Sequence, residues 1–292
     1  MRCSICPRNC ETERGAENAA GYCHSPALPR TGRIDLHFYE EPSISGTSGS
    51  GAVFFTGCNM ACVFCQNREL QSGAFGRAQT VESLSDAYLA LQKRGAHNIN
   101  LVTPAPHVMA IRDSLLLARE NGLSIPVVYN TNAYEKAETL RLLEGLVDIY
   151  LPDFKYITPE LSARFSDALD YAIVAEKAIS EMARQVGQLS LDADGIAKRG
   201  VLVRHLVLPA CVFDTRLVLD KLYSMFGAEL ALSLMSQYAP TENCVLPPLN
   251  RKLTEREYDR AVDYALSLGF TRVYIQDLSA ASLAFTPIFS KM

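Results

Sequence analysis

From Ala52 onward the chain alternates between short, mainly apolar runs and longer segments in which apolar residues recur every third or fourth position. The runs at 52–56, 98–102, 125–130, 147–151, 201–208, 229–236 and 272–276 are bounded by turn residues, and each predicts a buried β-strand. Several periodic segments carry their own boundaries. In "KLTEREYDRAVDYALSLGF", Thr254 followed by Glu257 makes a capping box, Ala261, Val262, Ala265 and Leu266 form one apolar face, and Gly269 closes the helix. A second helix is predicted over 171–186, where Ala175, Ala178, Ile179, Met182 and Val186 share a face before Gly187, and a third starts near Thr80.

Strands and helices repeating in this way bury a parallel sheet under helices, and six or seven such units suit an open or closed barrel better than a four-unit sheet. In either arrangement ligands bind at the carboxyl ends of the strands. Residues 1–50 break the pattern: four cysteines come first, and "EEPSISGTSGSG" is rich in Gly, Ser and Pro, the chemistry of turns and loops. The expected organisation is a Cys-rich, metal-binding N-terminal extension over 1–50 and an α/β barrel over 51–292.

At 292 residues, with 48% hydrophobic and 21% charged side chains, the composition is that of an ordinary globular enzyme. A net charge of -4, from 28 basic against 32 acidic side chains and with no Lys/Arg run, argues against nucleic acid as a partner. "MRCSICPRNC" has no signal-like apolar region, and no apolar run approaches the roughly 18–20 residues of a membrane span, so a cytoplasmic protein with no membrane partner is expected. Nine cysteines cannot all pair within the chain, and most fall in two clusters, which in a reducing compartment points to metal.

The stretch "FFTGCNMACVFCQN" sets Cys58, Cys62 and Cys65 on a loop at the carboxyl end of the first predicted strand of the barrel. Thiolates suit zinc or iron–sulfur clusters. A structural zinc needs a fourth ligand nearby, and Gln66 and Asn67 are poor ones, whereas three thiolates on a 4Fe–4S cluster leave one iron open. CNMACVFC is the C-x3-C-x2-C signature of the radical S-adenosylmethionine (radical SAM) superfamily, which the chain resembles. "CSICPRNC", "GYC", "INLVTPAPHV", "PVVYNTNAYE", "DIYLPDFKY", "VLVRHLVLP", "LSLMSQYAP" and "YIQDL" carry a narrower resemblance, to uncharacterised radical SAM proteins related to the pyruvate formate-lyase activating enzyme. The resemblance implies a partial (β/α)6 TIM-like barrel with a Cys-rich N-terminal extension. It also implies that S-adenosylmethionine chelates the open iron through its amino and carboxylate groups. An electron from the cluster then breaks the sulfonium, and a 5'-deoxyadenosyl radical abstracts a hydrogen atom. Such chemistry requires a low potential and exclusion of water. Phe64 matches the family position that packs against adenine.

Further candidates follow from the same resemblance. Where the superfamily grips the methionine amine with Gly-Gly-Glu-Pro, this chain reads "LVTPAPH", so Thr103 and Pro104 replace a carboxylate with a hydroxyl and backbone carbonyls. His107 caps the next helix, packs, or touches ligand. Asn130 or Asn132, after the third strand, matches a ligand for the ribose or the methionine carboxylate; a turn built by Asn and Thr is the alternative. Asp153 and Lys155, two apart on an extended segment, point the same way and pair with each other or with a zwitterionic ligand. Arg204 and His205 face opposite sides of their strand, so at most one enters the barrel. The resemblance favours Arg204 as a carboxylate ligand, against snorkelling outward. Met235, Gln237 and Tyr238 line the substrate side or pack in the barrel.

Cys3, Cys6, Cys10 and Cys23 are spaced C-x2-C-x3-C-x12-C, enough for a closed four-thiolate site. Zinc as a staple, an auxiliary 4Fe–4S cluster that relays electrons, and four free thiols all remain open on spacing alone. Cys211 and Cys244 stand isolated, as small apolar residues do. By similarity with the activating enzymes, the expected function is hydrogen abstraction from a partner, most concretely activation of a glycyl-radical protein, with flavodoxin or ferredoxin as electron donor. Modification of a peptide or small molecule is the alternative, and a non-catalytic iron–sulfur electron carrier a third reading.

Overall fold

The computed structural model describes residues 2–15, 20–73, 75–240, 244, 246–282, 287 and 289. Its strands are β1 (Arg30–His37), β2 (Ser50–Phe55), β3 (Arg77–Ala78), β4 (Ile99–Val102), β5 (Val127–Thr131), β6 (Ile149–Pro152), β7 (Ser190–Leu191), β8 (Ala197–Leu206), β9 (Ala231–Met235) and β10 (Arg272–Ile275). The predicted strands correspond to β2, β4, β5, β6, β8, β9 and β10, and these run parallel in chain order. They read as mainly apolar runs because helices cover one face and the barrel interior the other. The sheet order β10-β9-β8-β6-β5-β4-β2-β1-β3 does not return on itself, so the barrel is open: a mixed α/β, partial TIM-like fold.

The helices are α1 (Pro42–Ser45), α2 (Val81–Lys93), α3 (Val108–Glu120), α4 (Ala137–Leu140), α5 (Pro159–Ser166), α6 (Tyr171–Val186), α7 (Val212–Phe226) and α8 (Glu255–Leu268). Local signals set their ends. Thr254 and Glu257 cap α8 reciprocally and Gly269 stops it at φ +94°, while Thr80 caps α2 with Ser83 in the partner position. Among the described residues no helix is long and apolar enough to cross a membrane.

Residues 30–45 differ from the loop-like extension read from composition. β1 pairs antiparallel with β2 from Thr31↔Phe55 to His37↔Ser50, extending the sheet at one edge. The chain then folds under the barrel, and α1 closes its floor. Ile44 is fully buried there against Val128, Ile149, Leu151, Leu202 and Ala231. Small Ser and Gly residues around Ile44 let the backbone pack closely in a confined space, so the composition of a turn here serves a buried plug.

Candidate active site

Above the plug lies a polar layer. Arg204 of β8 points into the barrel and spends its guanidinium on three partners: Asp153 Oδ1 at 3.0 Å, Glu40 Oε2 at 3.2 Å and Asn130 Oδ1 at 2.6 Å. Glu40 Oε1 accepts from Asn100 at 2.9 Å and from Asn130 at 3.1 Å, and Lys155 Nζ donates to Asp153 Oδ2 at 2.6 Å. Burial works against the charge on Asp153, but Lys155 and Arg204 together hold its carboxyl below the usual carboxylate range. Lys155 and Arg204 are in turn held cationic by Asp153 despite burial. Glu41, next in the chain, is buried under the same layer, and burial raises its pKa.

Over this layer opens a cavity of about 230 Å³, lined by Glu40, Asn130, Asp153, Lys155 and Arg204 below and by Cys62, Phe64 and Cys65 from the loop after β2. Phe54, Val102, Leu206 and Met235 form apolar wall, and Gln237 and Tyr238 also line it. Phe64 meets Tyr238 edge to face, centroids 6.2 Å apart.

The Cys loop is held by its neighbours. Ala61 N and Val63 N donate to the carbonyls of Ser166 and Phe165, anchoring the loop on α5. Cys62 Sγ accepts from Ser166 Oγ at 3.0 Å; Cys58 Sγ accepts from Met60 N at 3.4 Å and from Asn132 Nδ2 at 3.5 Å. Burial pushes the Cys58 and Cys65 thiols up to about 12, with Cys62 adding to it, and raises Cys62 as well. Thiolates at neutral pH therefore need a cation beside them, which bound iron provides. Among the described residues no three His, Cys, Asp or Glu side chains converge on a single-ion position. Three thiols spread around a loop, with N–H and O–H donors already aimed at sulfur, fit a cluster in which each thiolate takes a different iron.

The structure separates the sequence candidates. Phe64, Asn130, Asp153 and Arg204 line the cavity, as do Met235, Gln237 and Tyr238. Asp153 and Lys155 pair with each other, and Arg204 does not snorkel: its side chain is only 13% exposed and its carboxylate partners belong to the chain itself. Asn132 sits beside Cys58, where its Nδ2 also donates to Asn59 Oδ1 at 2.9 Å and its Oδ1 accepts from Tyr134 N at 2.9 Å. It thus forms the Asn turn and touches the Cys loop at once. Thr103 is outside the described lining of the cavity; it takes a left-handed backbone, φ +59°, and its N–H donates to the Asn130 carbonyl. His107 is a packed residue, buried with its Nε2 2.8 Å from the Thr56 carbonyl oxygen, and burial lowers its pKa to about 4. His205 faces away from Arg204, buried between the Phe154 carbonyl and Thr215. Cys211 and Cys244 are buried in the main core.

Sequence reasoning missed Glu40, together with His37 and Tyr39 on the cavity wall. The signal was present: Ile34, Leu36 and Phe38 alternate with Asp35, His37 and Tyr39, the period of a strand whose end carries Glu40 to the barrel.

A family model described as the Radical SAM superfamily matches residues 52–185, which hold the Cys loop, β2 to β6 and most of α6. The uncharacterized protein MJ0674 of Methanocaldococcus jannaschii is 28% identical over 288 residues, covering 93% of this chain and 76% of that protein. The structure of anSMEcpe with bound AdoMet aligns with a TM-score of 0.53 at 13% identity, over 80% of this chain and 62% of that one. This chain thus spans less than two thirds of that relative's length, and the likeness is one of fold. A domain of a pyruvate-formate lyase-activating enzyme from Bacteroides vulgatus aligns over 60% of this chain and 94% of its own, at 16% identity and a TM-score of 0.43. The superfamily implies a 4Fe–4S cluster and S-adenosylmethionine, the groups that the thiol loop and the cavity beneath it fit. Over residues 52–185 this chain is similar to the radical SAM superfamily.

Proposed function

We propose that the protein binds S-adenosylmethionine at a 4Fe–4S cluster held by Cys58, Cys62 and Cys65, and uses the 5'-deoxyadenosyl radical to take a hydrogen atom from a glycine of a partner protein. The observation that carries this reading is the three-thiol loop opening onto an interior cavity at the carboxyl end of a parallel strand. When bound, the cluster supplies a single electron at low potential to the sulfonium.

The chain's own residues do the rest. Phe64 and Tyr238 offer an aromatic edge and face for a purine, and Asn130 offers an amide to a ribose or carboxylate. Phe54, Val102, Leu206 and Met235 keep water from a radical that would attack any nearby C–H. The structure of anSMEcpe with bound AdoMet supports such use of the fold. Below, the cations Lys155 and Arg204 are neutralised by the carboxylates Asp153 and Glu40, so the floor offers no surplus charge to select a charged metabolite. A neutral backbone suits it better. Glycine has no side chain to clash on entry, and both flanking amides stabilise its α-radical. A flavodoxin or ferredoxin is the matching class of reductant.

Anaerobic incubation with S-adenosylmethionine and dithionite should release 5'-deoxyadenosine, and adding the glycyl-radical partner should give a glycine-centred doublet in electron paramagnetic resonance. Deuterium placed on that glycine should appear in the 5'-deoxyadenosine. An intact cluster that releases no 5'-deoxyadenosine would refute the radical chemistry. Deuterium transfer from a small molecule or a non-glycine peptide position would instead assign the protein to the modifying enzymes.

A further inference from the structure

The second set of thiols does not stand apart from the first. Gly57, which precedes Cys58, has φ +81°, and a Cβ there would lie 1.9 Å from Ser25 Oγ and 2.8 Å from the Cys23 carbonyl oxygen. Only glycine lets the Cys23–Ser25 segment lie against the root of the Cys loop. Arg8, in the turn between Cys6 and Cys10, makes a second bridge: its Nε donates to the Asn59 carbonyl at 2.9 Å. Its guanidinium stacks 3.8 Å over the ring of Tyr22, the residue before Cys23. The segments that carry the two cysteine sets therefore meet at Gly57 and Asn59, the residues on either side of Cys58.

The four-thiol set itself has the features of a bound centre. Cys10 Sγ accepts from Tyr22 N at 3.3 Å and Cys23 Sγ from Arg14 Nη2 at 3.7 Å, and Cys6 and Cys23 are buried in a segment with little apolar core of its own. A zinc staple would gather four sulfurs within about 2.3 Å of one point. A cluster spreads its ligands over separate irons, and a redox centre, unlike a staple, gains from contact with the Cys58 loop.

We propose that Cys3, Cys6, Cys10 and Cys23 hold a 4Fe–4S cluster that passes single electrons to the site of Cys58, Cys62 and Cys65 through the Cys23–Gly57 and Arg8–Asn59 contacts. A low-potential one-electron donor protein reduces this cluster, and it is reoxidised as the same electron moves to the acceptor; no atom or proton is transferred. Arg14, a positive donor to a ligating sulfur, stabilises the extra electron and so raises the potential of the centre. Only the electron's destination rests on the function proposed above; occupancy of the four-thiol site does not.

The test uses the full chain with Cys58→Ala, Cys62→Ala and Cys65→Ala combined, reconstituted anaerobically with iron and sulfide in the presence of zinc. It should retain about four irons per chain and give a cluster signal in electron paramagnetic resonance on reduction. Arg14→Gln in that background should leave the iron unchanged and make the midpoint potential more negative. One zinc per chain, or no metal, in the triple variant would overturn the assignment. In the chain with all other cysteines intact, replacing Cys3, Cys6, Cys10 and Cys23 by Ala should slow 5'-deoxyadenosine formation with a protein donor at least tenfold while dithionite still supports it. An unchanged rate with the protein donor would overturn the relay. Failure of every variant to form 5'-deoxyadenosine would count against the proposed function alone, since the iron of the triple variant is read independently.

Discussion

Replacing Arg204 with Met keeps roughly the volume of the side chain and removes the cation at the centre of the polar layer. The side chains of Arg204, Glu40 and Asp153 are 13%, 11% and 15% exposed, so water cannot take over the lost bonds without a rearrangement. Removing one partner of a buried ion pair costs roughly 3–5 kcal/mol. Here both orphaned carboxylates keep other donors: Asp153 has Lys155 at 2.6 Å, and Glu40 has Asn100 and Asn130. The loss should therefore fall at the lower end, about 3 kcal/mol at neutral pH. Its pH dependence has a definite sign. Asp153 has a folded pKa held below its unfolded value, so its stabilisation is present above the ordinary carboxylate range and is lost as pH falls through the folded pKa. Arg204 supplies part of that stabilisation, so the deficit of the variant should shrink on acidification below about pH 4. Urea unfolding of the reduced, metal-free chain, followed by circular dichroism, measures it. A cycle with Asp153→Asn should show a coupling energy of roughly 1–3 kcal/mol. A deficit below about 1 kcal/mol, or additive single variants, would refute the view that Arg204 is the centre of this layer.

Cys62→Ala should prevent assembly of the cluster in the Cys58 loop, seen as loss of about four irons per chain relative to the parent; parental iron content would contradict the ligand assignment. Glu135, buried and accepting from Tyr129 and Thr131, has a carboxyl that burial raises to about 7 against those bonds. A carboxyl whose folded pKa lies above its unfolded value stabilises the fold at low pH and ceases to do so as pH rises through the folded value. The stability of the parent relative to Glu135→Gln should thus fall by up to roughly 3 kcal/mol between about pH 4.5 and 7. A difference flat across that window in urea midpoints would disprove it. Ile44→Ala should destabilise by about 2–5 kcal/mol, because the fully buried side chain fills the barrel floor and leaves a cavity when truncated; a thermal midpoint within a degree or two of the parent would show that the floor collapses without cost.

The sequence by itself determined the parallel strands, the start of α2, both ends of α6 and α8, and the placement of Cys58, Cys62 and Cys65 at a strand's carboxyl end. These features are local: an apolar run, a capping residue and a cysteine spacing are each complete within a dozen neighbours, and helices packed on one face of a curving parallel sheet force the rest. Tertiary structure alone decided which polar side chains meet. Glu40 reaches Arg204 across 164 positions of sequence, and Asp153 engages Arg204 rather than only its neighbour Lys155. It also turned a Ser/Gly-rich stretch into the plug under the barrel and laid Cys23 against Gly57. Contacts of that kind depend on curvature and register summed over the whole sheet, and no window of sequence holds both partners.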